Sequence, residues 1–412
     1  MLTAKKNQVN QIKILLQLLL IVLGVFFFPV ITGAFALICA FVTNGEKRYW
    51  LLCAFCLLSS LVFLDIIPGN GLDVDRYLVV TNQMSMVSGV KDWLSFCLTN
   101  PSTQYEKTSY LFFILQYFAS RSHYINLLPY ISTVLTSFLY FFPFIDYTKS
   151  KNIRVKWYAV ILSVIPFFML GYGGIASTMR WGLAVSSCLF MDYIYFNYLK
   201  SRKYIFLLLL PLLSHLGIIL AVLLSIYVAL VKRLNVITII FPVLFILLYM
   251  NTAVRGNIST LIGQLSNMTA IYSNGFGEGQ IISQSARLVM VVQYVTTVLL
   301  NSYYFYLKRK YTFYKYPLNN FNTLLTFILI VFFLNSTIFY RYVTFAAPIY
   351  CFSILQILQE KKSDFIEILW LLLIFIGSFF LGAISYRQFA FAFSDVGVIF
   401  KSIFSLLLSA TT

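Results

Sequence analysis

Acidic and basic side chains gather in one stretch of an otherwise apolar chain, residues 68–108. The stretch opens with Pro68-Gly69-Asn70-Gly71, which is typical of a turn, and we interpret it as a polar loop. Its charged residues are Asp73, Asp75, Arg76, Lys91, Asp92, Glu106 and Lys107. Because charged residues are rare in this chain, their clustering here indicates a role in substrate binding or in a reaction.

Three carboxylates of this stretch are candidate catalytic groups. In an extended segment, Asp73 and Asp75 would lie on the same face, where paired carboxylates can act as a general base or bind sugar hydroxyls. Glu106 is the other candidate base. A solvated ion pair in the loop is the alternative role for these acids. No histidine or third acid lies beside the pair, so the sequence predicts no metal site.

Four arginines are candidates for binding an anion. Arg180 follows Gly173-Gly174 at the predicted start of a spanning helix, where backbone N–H groups and the helix dipole favour negative charge. Arg287 and Arg341 are also predicted to begin helices. Together with Arg76, these arginines could converge on a diphosphate. The alternative for each is an arginine that extends its guanidinium to the membrane interface.

His215, in Ser214-His215-Leu216-Gly217, is one of two histidines in the chain. A lone histidine in an apolar segment usually packs with its hydrogen bonds satisfied. An ionisable group inside a membrane segment is nevertheless a candidate for function. Close to Pro211, which is expected to break the helix, His215 could line a cavity and contact a substrate phosphate.

The composition predicts a membrane protein. Of the 412 residues, 60% are hydrophobic and 10% are charged, and the mean hydropathy is +0.85. Long apolar segments recur along the chain, so we expect an all-α, polytopic integral membrane protein with about 10–12 transmembrane helices, some broken or re-entrant. We expect a single polytopic domain over 1–412, with outer loops at 68–108 and 251–287. The apolar segments are 12–42, 49–67, 109–120, 125–145, 157–171, 176–199, 204–231, 234–250, 288–307, 319–339, 342–358, 365–384 and 389–411.

Two of these segments have internal features of interest. The first segment, 12–42, has Pro29 near its middle, and we favour two short helices over one. Cys53 and Cys56 form a CxxC pair inside an apolar segment, where packing is expected rather than redox or metal chemistry.

The net charge of +17 would suggest nucleic-acid binding in a soluble protein. In a polytopic protein it is explained by basic cytoplasmic loops, so no nucleic-acid partner is expected. If every apolar segment crossed the bilayer once, the basic clusters near 149–156 and 200–203 would lie outside. The conflict disappears if 109–120, which spans only about 18 Å, lies on or dips into the outer leaflet. Segment 204–231 must then enter and leave from the cytoplasm as a broken hairpin.

This topology separates lysine from arginine. Fifteen lysines lie inside and two outside (Lys91 and Lys107), with Lys401 unassigned, whereas five arginines lie inside and seven outside. The positive-inside rule does not distinguish the two residue types. Recognition of phosphate or carboxylate does, because the guanidinium fork matches those groups and the ammonium does not. The outer arginines are Arg76, Arg121, Arg180, Arg255, Arg287, Arg341 and Arg387.

The order of these motifs resembles that of the Wzy-type O-antigen and exopolysaccharide polymerases, including EpsG-like members. In two places the chain departs from the family pattern: Trp181 replaces the usual glutamine after the arginine, and Leu216 follows the histidine in place of a small residue or proline. The matching motifs are Gly71-x-Asp73-x-x-x-Tyr77, Tyr105-Glu106, Arg180-Trp181-Gly182-Leu183-Ala184, Ser214-His215-Leu216-Gly217 and Arg341-Tyr342.

The resemblance implies a GT-C-like, multi-spanning glycosyltransferase of O-antigen or lipopolysaccharide biosynthesis in the bacterial cytoplasmic (inner) membrane, with its site facing the periplasm. It implies transfer of a growing glycan from undecaprenyl diphosphate onto the next lipid-linked repeat unit, with membrane lipid and a chain-length regulator as partners. On this hypothesis Arg76, Arg180, Arg287 and Arg341 bind the diphosphate, and His215 orients phosphate or acceptor. One of Asp73, Asp75 and Glu106 is the base, and neither metal nor cofactor is needed. A flippase or transporter of lipid-linked oligosaccharide and an O-antigen ligase are the alternatives.

Overall fold

The structure is a computed structural model in which most of the chain is described. The described residues are 19–67, 73–100, 109–122, 124–150, 156–171, 175, 178–231, 235–250, 284–311, 317–332, 336–358, 365–389 and 397–409. Glu106 and His123 lie outside these ranges, as does most of the second predicted outer loop, 251–287.

Within these ranges the fold is helical, and no β-sheet forms. The all-α class predicted from the sequence is therefore confirmed for the described chain. The α-helices are α1 (19–27), α2 (Pro29–Val42), α3 (Lys47–Ser60), α4 (Asp73–Ser85), α5 (Val90–Thr99), α6 (Tyr110–Arg121), α7 (Leu127–Ser150), α8 (Lys156–Leu170), α9 (Met179–Ile194), α10 (Ile219–Leu230), α11 (Val236–Met250), α12 (Gln284–Tyr311), α13 (Pro317–Phe332), α14 (Ser336–Leu358), α15 (Phe365–Phe389) and α16 (Ile403–Ser409).

Four described helical stretches are long and apolar enough to cross a membrane. The first combines α3 with the 3₁₀ turn that continues it, Leu61–Asp65. Shorter apolar helices accompany these four, so the described chain contains fewer full-length spans than the sequence predicted. The four stretches are Lys47–Asp65, Leu127–Lys149, Arg341–Leu358 and Phe365–Tyr386, and the shorter helices are Pro29–Val42, Trp157–Leu170, Leu216–Leu230 and Asn320–Val331.

The first apolar segment divides as expected. The helix before Phe28 ends there, and α2 begins with Pro29 at its first position. Proline is tolerated at this position because its missing N–H would have no partner within the helix.

Two sequence-based expectations about the chain path are wrong. The polar stretch 68–108 is not simply a loop, because it contains the helices α4 and α5. The boundary expected between 319–339 and 342–358 lies earlier, since α13 ends at Phe332 and α14 begins at Ser336. Arg341 therefore lies in the second turn of a helix and not at its start.

The segment 204–231 is broken, as predicted. A 3₁₀ helix, Arg202–Leu213, rises about 24 Å at its 2 Å per residue and is followed by extended backbone at His215. A short 3₁₀ turn, Leu216–Ile218, then leads into α10. The chain enters this segment through Lys200, whose left-handed backbone (φ 50°) ends the preceding helical turn.

The broken segment packs on the helix that carries Arg180. Both the 3₁₀ helix and α10 contact α9, and nearly all of α9 is buried. The stretch Arg341–Leu358 of α14 is 94% buried, whereas Phe365–Tyr386 of α15 is only 28% buried. Hence α9 and α14 form the centre of the bundle, and α15 lies at its periphery.

Candidate functional site

Arg180 lies in the first turn of α9 and contacts Tyr77 of α4. The Arg180 Nε donates a 3.0 Å hydrogen bond to the Tyr77 hydroxyl oxygen. Both side chains are buried. The guanidinium carbons of Arg76 and Arg180 lie 5.1 and 5.2 Å from the centre of the Tyr77 ring, within cation–π range. Tyr77 thus brings two of the predicted arginines together.

Tyr77 is held in place by the apolar packing of α4. Its ring meets Phe112 of α6 edge to face, with 5.0 Å between ring centres. Met179 and Leu183 of α9 belong to the same buried cluster. Burial raises the pKa of the Tyr77 phenol despite the opposing effect of Arg180, so the hydroxyl stays neutral at pH 7.

His215 lies at the break in segment 204–231, between the 3₁₀ helix Arg202–Leu213 and the short turn that leads into α10. Its Nδ1 accepts a 2.8 Å hydrogen bond from the Gly217 backbone N–H, so the imidazole caps the 3₁₀ turn that follows. Since Nδ1 is the acceptor, the hydrogen of the neutral ring resides on Nε2, which is left as a donor.

Gly217 is required by the position of this ring. A Cβ atom at residue 217 would lie 2.8 Å from Cε1 and 2.9 Å from Nδ1 of His215. Any larger residue would therefore displace the imidazole. This explains in physical terms why the Ser214-His215-Leu216-Gly217 motif ends in glycine.

Trp181 connects His215 to α14. Its ring meets His215 and Tyr342 edge to face, with centre distances of 5.8 and 6.0 Å. The indole N–H donates a 2.9 Å hydrogen bond to the Thr344 hydroxyl, and the Arg341 guanidinium carbon lies 5.7 Å from the ring centre. Trp181 is one of the two positions at which the chain departs from the pattern of the polymerases that it resembles, and it contacts two of the predicted site residues, His215 and Arg341.

A hydrogen bond to the backbone of Gly217 also holds the broken segment against α14. The Tyr342 hydroxyl donates a 2.9 Å hydrogen bond to the carbonyl oxygen of Gly217. His215 and Arg341 both contact the Trp181 ring, and Arg180 is the residue that precedes Trp181 in the first turn of α9. The structure therefore brings Arg180, His215 and Arg341 to one place, and Arg76 joins them through Tyr77. We refer to Arg76, Tyr77, Arg180, His215 and Arg341 as the arginine cluster.

The candidate carboxylates are arranged differently from the expectation. Asp73 and Asp75 begin a helix, not an extended segment, so they are separated by about 200° around its axis. Asp73 is one turn before Tyr77 on the same side of α4 and acts electrostatically on it. Asp73 is half exposed and forms a 3.9 Å ion pair with Arg76.

The side-chain positions of two predicted site residues, Arg287 and Glu106, lie outside the described part of the structure. Arg287 belongs to α12 by its backbone, but its side chain lies outside the described part of the structure. Glu106 lies outside the described residues altogether. Among the described residues, no group of three or more His, Cys, Asp and Glu could hold a metal ion.

Three residues that shape the cluster were not predicted from the sequence as site residues. Tyr77 and Gly217 appear in the sequence only as motif positions, although the spacing of four between Asp73 and Tyr77 is consistent with one helix face. Thr344 carries no sequence signal, because its role as acceptor for the Trp181 indole depends on the packing of α9 against α14.

A buried ion pair lies close to the packing core of Tyr77. The Lys401 ammonium lies 3.1 Å from both carboxylate oxygens of Asp65, whose side chain is fully buried. Val398 and Leu406, which flank Lys401, pack in the same cluster as Tyr77. Lys401, which the predicted topology assigned to neither side of the membrane, therefore lies at the Asp65 end of the first candidate span, Lys47–Asp65.

No protein-family model, curated protein or solved structure matches the chain. The resemblance to the Wzy-type polymerases therefore stays a prediction that depends on the short motifs themselves.

Proposed function

We propose that this chain is a polytopic membrane glycosyltransferase that polymerises lipid-linked oligosaccharide repeat units. The observation that supports it most is a convergence on two adjacent rings. Arg76 and Arg180 lie on Tyr77. His215 and Arg341 both contact Trp181, the residue that follows Arg180 at the beginning of α9. Three of the four arginines singled out for diphosphate binding thus come together, although they are up to 265 positions apart (341 − 76) in the sequence.

The cluster has the chemistry needed to bind a diphosphate. Guanidinium groups bind phosphate oxygens through paired hydrogen bonds, and the start of α9 adds backbone donors and a positive dipole end. The Nε2–H of His215 supplies a further neutral donor. We assign the diphosphate of an undecaprenyl-linked glycan to this place.

The reaction is a displacement at the sugar carbon attached to the diphosphate. A hydroxyl oxygen of the incoming repeat unit forms the new glycosidic bond as the bond to the diphosphate oxygen breaks. The bonding electrons leave with undecaprenyl diphosphate, whose growing negative charge Arg180 and Arg341 stabilise. The acceptor proton passes to a carboxylate. Of the described acids, Asp73 is better placed than Asp75 because it lies on the Tyr77 side of α4, and Glu106 remains the other candidate base.

The same proposal gives the location and partners. The site faces the periplasm from the bacterial cytoplasmic membrane, and a chain-length regulator protein limits the product. An O-antigen ligase would use the same donor site and differ only in its acceptor.

A flippase or transporter is the less favoured alternative. It would need ionisable groups free to relay charge through the membrane, and the sequence offers Asp65, Asp192 and His215. Asp65 is paired with Lys401, and His215 packs against Trp181, which Arg341 also contacts. Purified protein that lengthens lipid-linked oligosaccharide in detergent would exclude transport as the sole activity.

The assignment can be tested by single substitutions. Four single variants are expressed in cells that lack the wild-type chain, and polymer length is followed on gels. The variants are Arg180→Ala, Arg341→Ala, Asp73→Ala and Glu106→Ala. We expect both arginine variants to yield single repeat units, and one of the two acid variants to do the same. Arg202→Ala, which removes an exposed arginine at the far end of the 3₁₀ helix, should leave polymer length unchanged. Full-length polymer from all four site variants, at normal protein levels, would contradict the proposal.

A further inference from the structure

The short helix α5 has two apolar faces, and the described part of the protein covers only one of them. Trp93 and Cys97, four residues apart, are buried against α4 and α6 in a small cluster with Phe113. Val90, Leu94 and Leu98 are also spaced by four, and each is about half exposed, at 56%, 49% and 57%. Such spacing places them on one stripe of the helix.

The neighbouring helix α6 repeats this arrangement. One side carries Phe112, Phe113 and Leu115 into the protein. The other side presents Tyr110, Ile114 and Phe118, again spaced by four, with exposures of 58%, 43% and 61%. We call Val90, Leu94, Leu98, Tyr110, Ile114 and Phe118 the outer apolar stripes.

The two helices are fixed to each other. The Arg121 guanidinium at the end of α6 donates a hydrogen bond to the Val87 carbonyl oxygen in the turn before α5. The same guanidinium carbon lies 4.9 Å from the centre of the Tyr117 ring, and Tyr117 packs against Trp93 at 5.0 Å. The exposed stripes therefore belong to a defined surface and not to independent loops.

We propose that the outer apolar stripes bind the acyl region of the membrane leaflet at the Arg180 end of the bundle. Helices with an apolar stripe and cationic flanks lie in the membrane interface. Two cations, Lys91 and Arg121, and one acid, Asp92, are exposed next to the stripes, and the two cations suit anionic headgroups. Continuity supports lipid as the occupant, because α6 contacts the 3₁₀ helix Arg202–Leu213, which itself exposes Leu209 and Leu213. This inference depends on the proposed membrane location and not on the proposed reaction.

Binding of the stripes to lipid would set the depth of the arginine cluster. Phe112, on the buried side of α6, packs directly on Tyr77, which holds Arg180. If α5 and α6 are anchored at the boundary of the acyl region, they would therefore keep the arginine cluster at the level of the lipid phosphate groups, where a lipid-linked diphosphate lies.

The test measures the accessibility of single nitroxide labels in the full-length chain, with its native cysteines replaced. The protein is reconstituted in vesicles of phosphatidylethanolamine and phosphatidylglycerol, and labels are placed at residues 94, 98 and 118. Ser95, exposed on a different face of α5, is the aqueous control. Phe379, exposed on the spanning helix α15, is the lipid control.

We expect labels at 94, 98 and 118 to collide with oxygen more than with a water-soluble nickel complex, as at 379, and the label at 95 to show the reverse. Nickel-dominated collisions at 94, 98 and 118, with oxygen still dominant at 379, would overturn the inference. Low accessibility to both reagents would overturn it too, because a second protein surface would then cover the stripes. Nickel-dominated collisions at 379 would refute the membrane location itself.

A second measurement keeps the native cysteines. In vesicles that contain brominated lipid, fluorescence from Leu94→Trp should be quenched more strongly than fluorescence from Ser95→Trp, after subtraction of the wild-type signal. Equal quenching of the two variants would contradict lipid contact along this stripe.

Discussion

Replacing Gly217 by alanine should abolish the proposed polymerase activity while leaving the fold intact. The added Cβ would lie 2.8 Å from Cε1 and 2.9 Å from Nδ1 of the His215 ring, closer than carbon and nitrogen atoms can approach without repulsion. Relief comes most easily by rotation of the ring, because the imidazole is the end of a side chain. His215 would then lose its hydrogen bond to the residue 217 N–H and its place beside Arg180 and Arg341.

The two consequences differ in size. Loss of one hydrogen bond lowers the free energy of unfolding by about 1 kcal/mol. Loss of a positioned donor to charge that develops in the transition state lowers turnover by about 100-fold or more. Activity should therefore fall far more than stability.

The assay is the initial rate at which purified protein lengthens lipid-linked repeat units, measured beside thermal unfolding in the same detergent. Gly182→Ala is the matched control, since a Cβ there would lie 3.6 Å from the Thr136 methyl carbon, an ordinary contact. It should leave the rate close to that of the wild-type protein, because the added Cβ meets no atom closer than an ordinary contact. A Gly217→Ala protein with a wild-type rate would refute the role given to the His215 ring. A variant that unfolds would be replaced by His215→Ala, for which a wild-type rate is equally contradictory.

Three further substitutions test the surroundings of the cluster. Tyr77→Phe removes the oxygen that accepts the guanidinium hydrogen bond, and should weaken binding of undecaprenyl diphosphate about fivefold in a titration; unchanged affinity would contradict this contact. Lys401→Met removes the cation from the buried Asp65 carboxylate and should lower the free energy of unfolding by roughly 3 kcal/mol, whereas Lys401→Met combined with Asp65→Asn should recover most of that loss. Thr344→Val removes the acceptor of the Trp181 indole and should cost about 1 kcal/mol of stability, with Thr344→Ser as the control that retains it.

The sequence predicted the elements of the fold better than their boundaries. Proline and histidine in an apolar run marked the break at His215, because proline removes a helical hydrogen bond and an ionisable group needs a polar environment. The helices α4 and α5 were missed because their buried stripes alternate with charged residues, which makes the average composition resemble that of a loop. Periodicity reveals them: Trp93 and Cys97 face the core while Leu94 and Leu98 do not.

The sequence predicted the arginines and the histidine of the candidate site, but not Tyr77 or Thr344. Arg180, Arg341 and His215 are conspicuous because ionisable groups are rare and costly within apolar segments. Tyr77 and Thr344 are common residue types in this chain, so only tertiary contacts distinguish them. The extended conformation assumed for Asp73 and Asp75 was wrong, since α4 begins at Asp73 and a helix separates neighbours two apart.

Binding of a lipid-linked diphosphate by the arginine cluster can be observed in a cryo-EM structure of the full-length protein in nanodiscs with undecaprenyl diphosphate. We expect density for the two phosphates between the guanidinium groups of Arg180 and Arg341, with His215 Nε2 within hydrogen-bond distance of a phosphate oxygen. Diphosphate density elsewhere on the protein, with the cluster unoccupied, would contradict it.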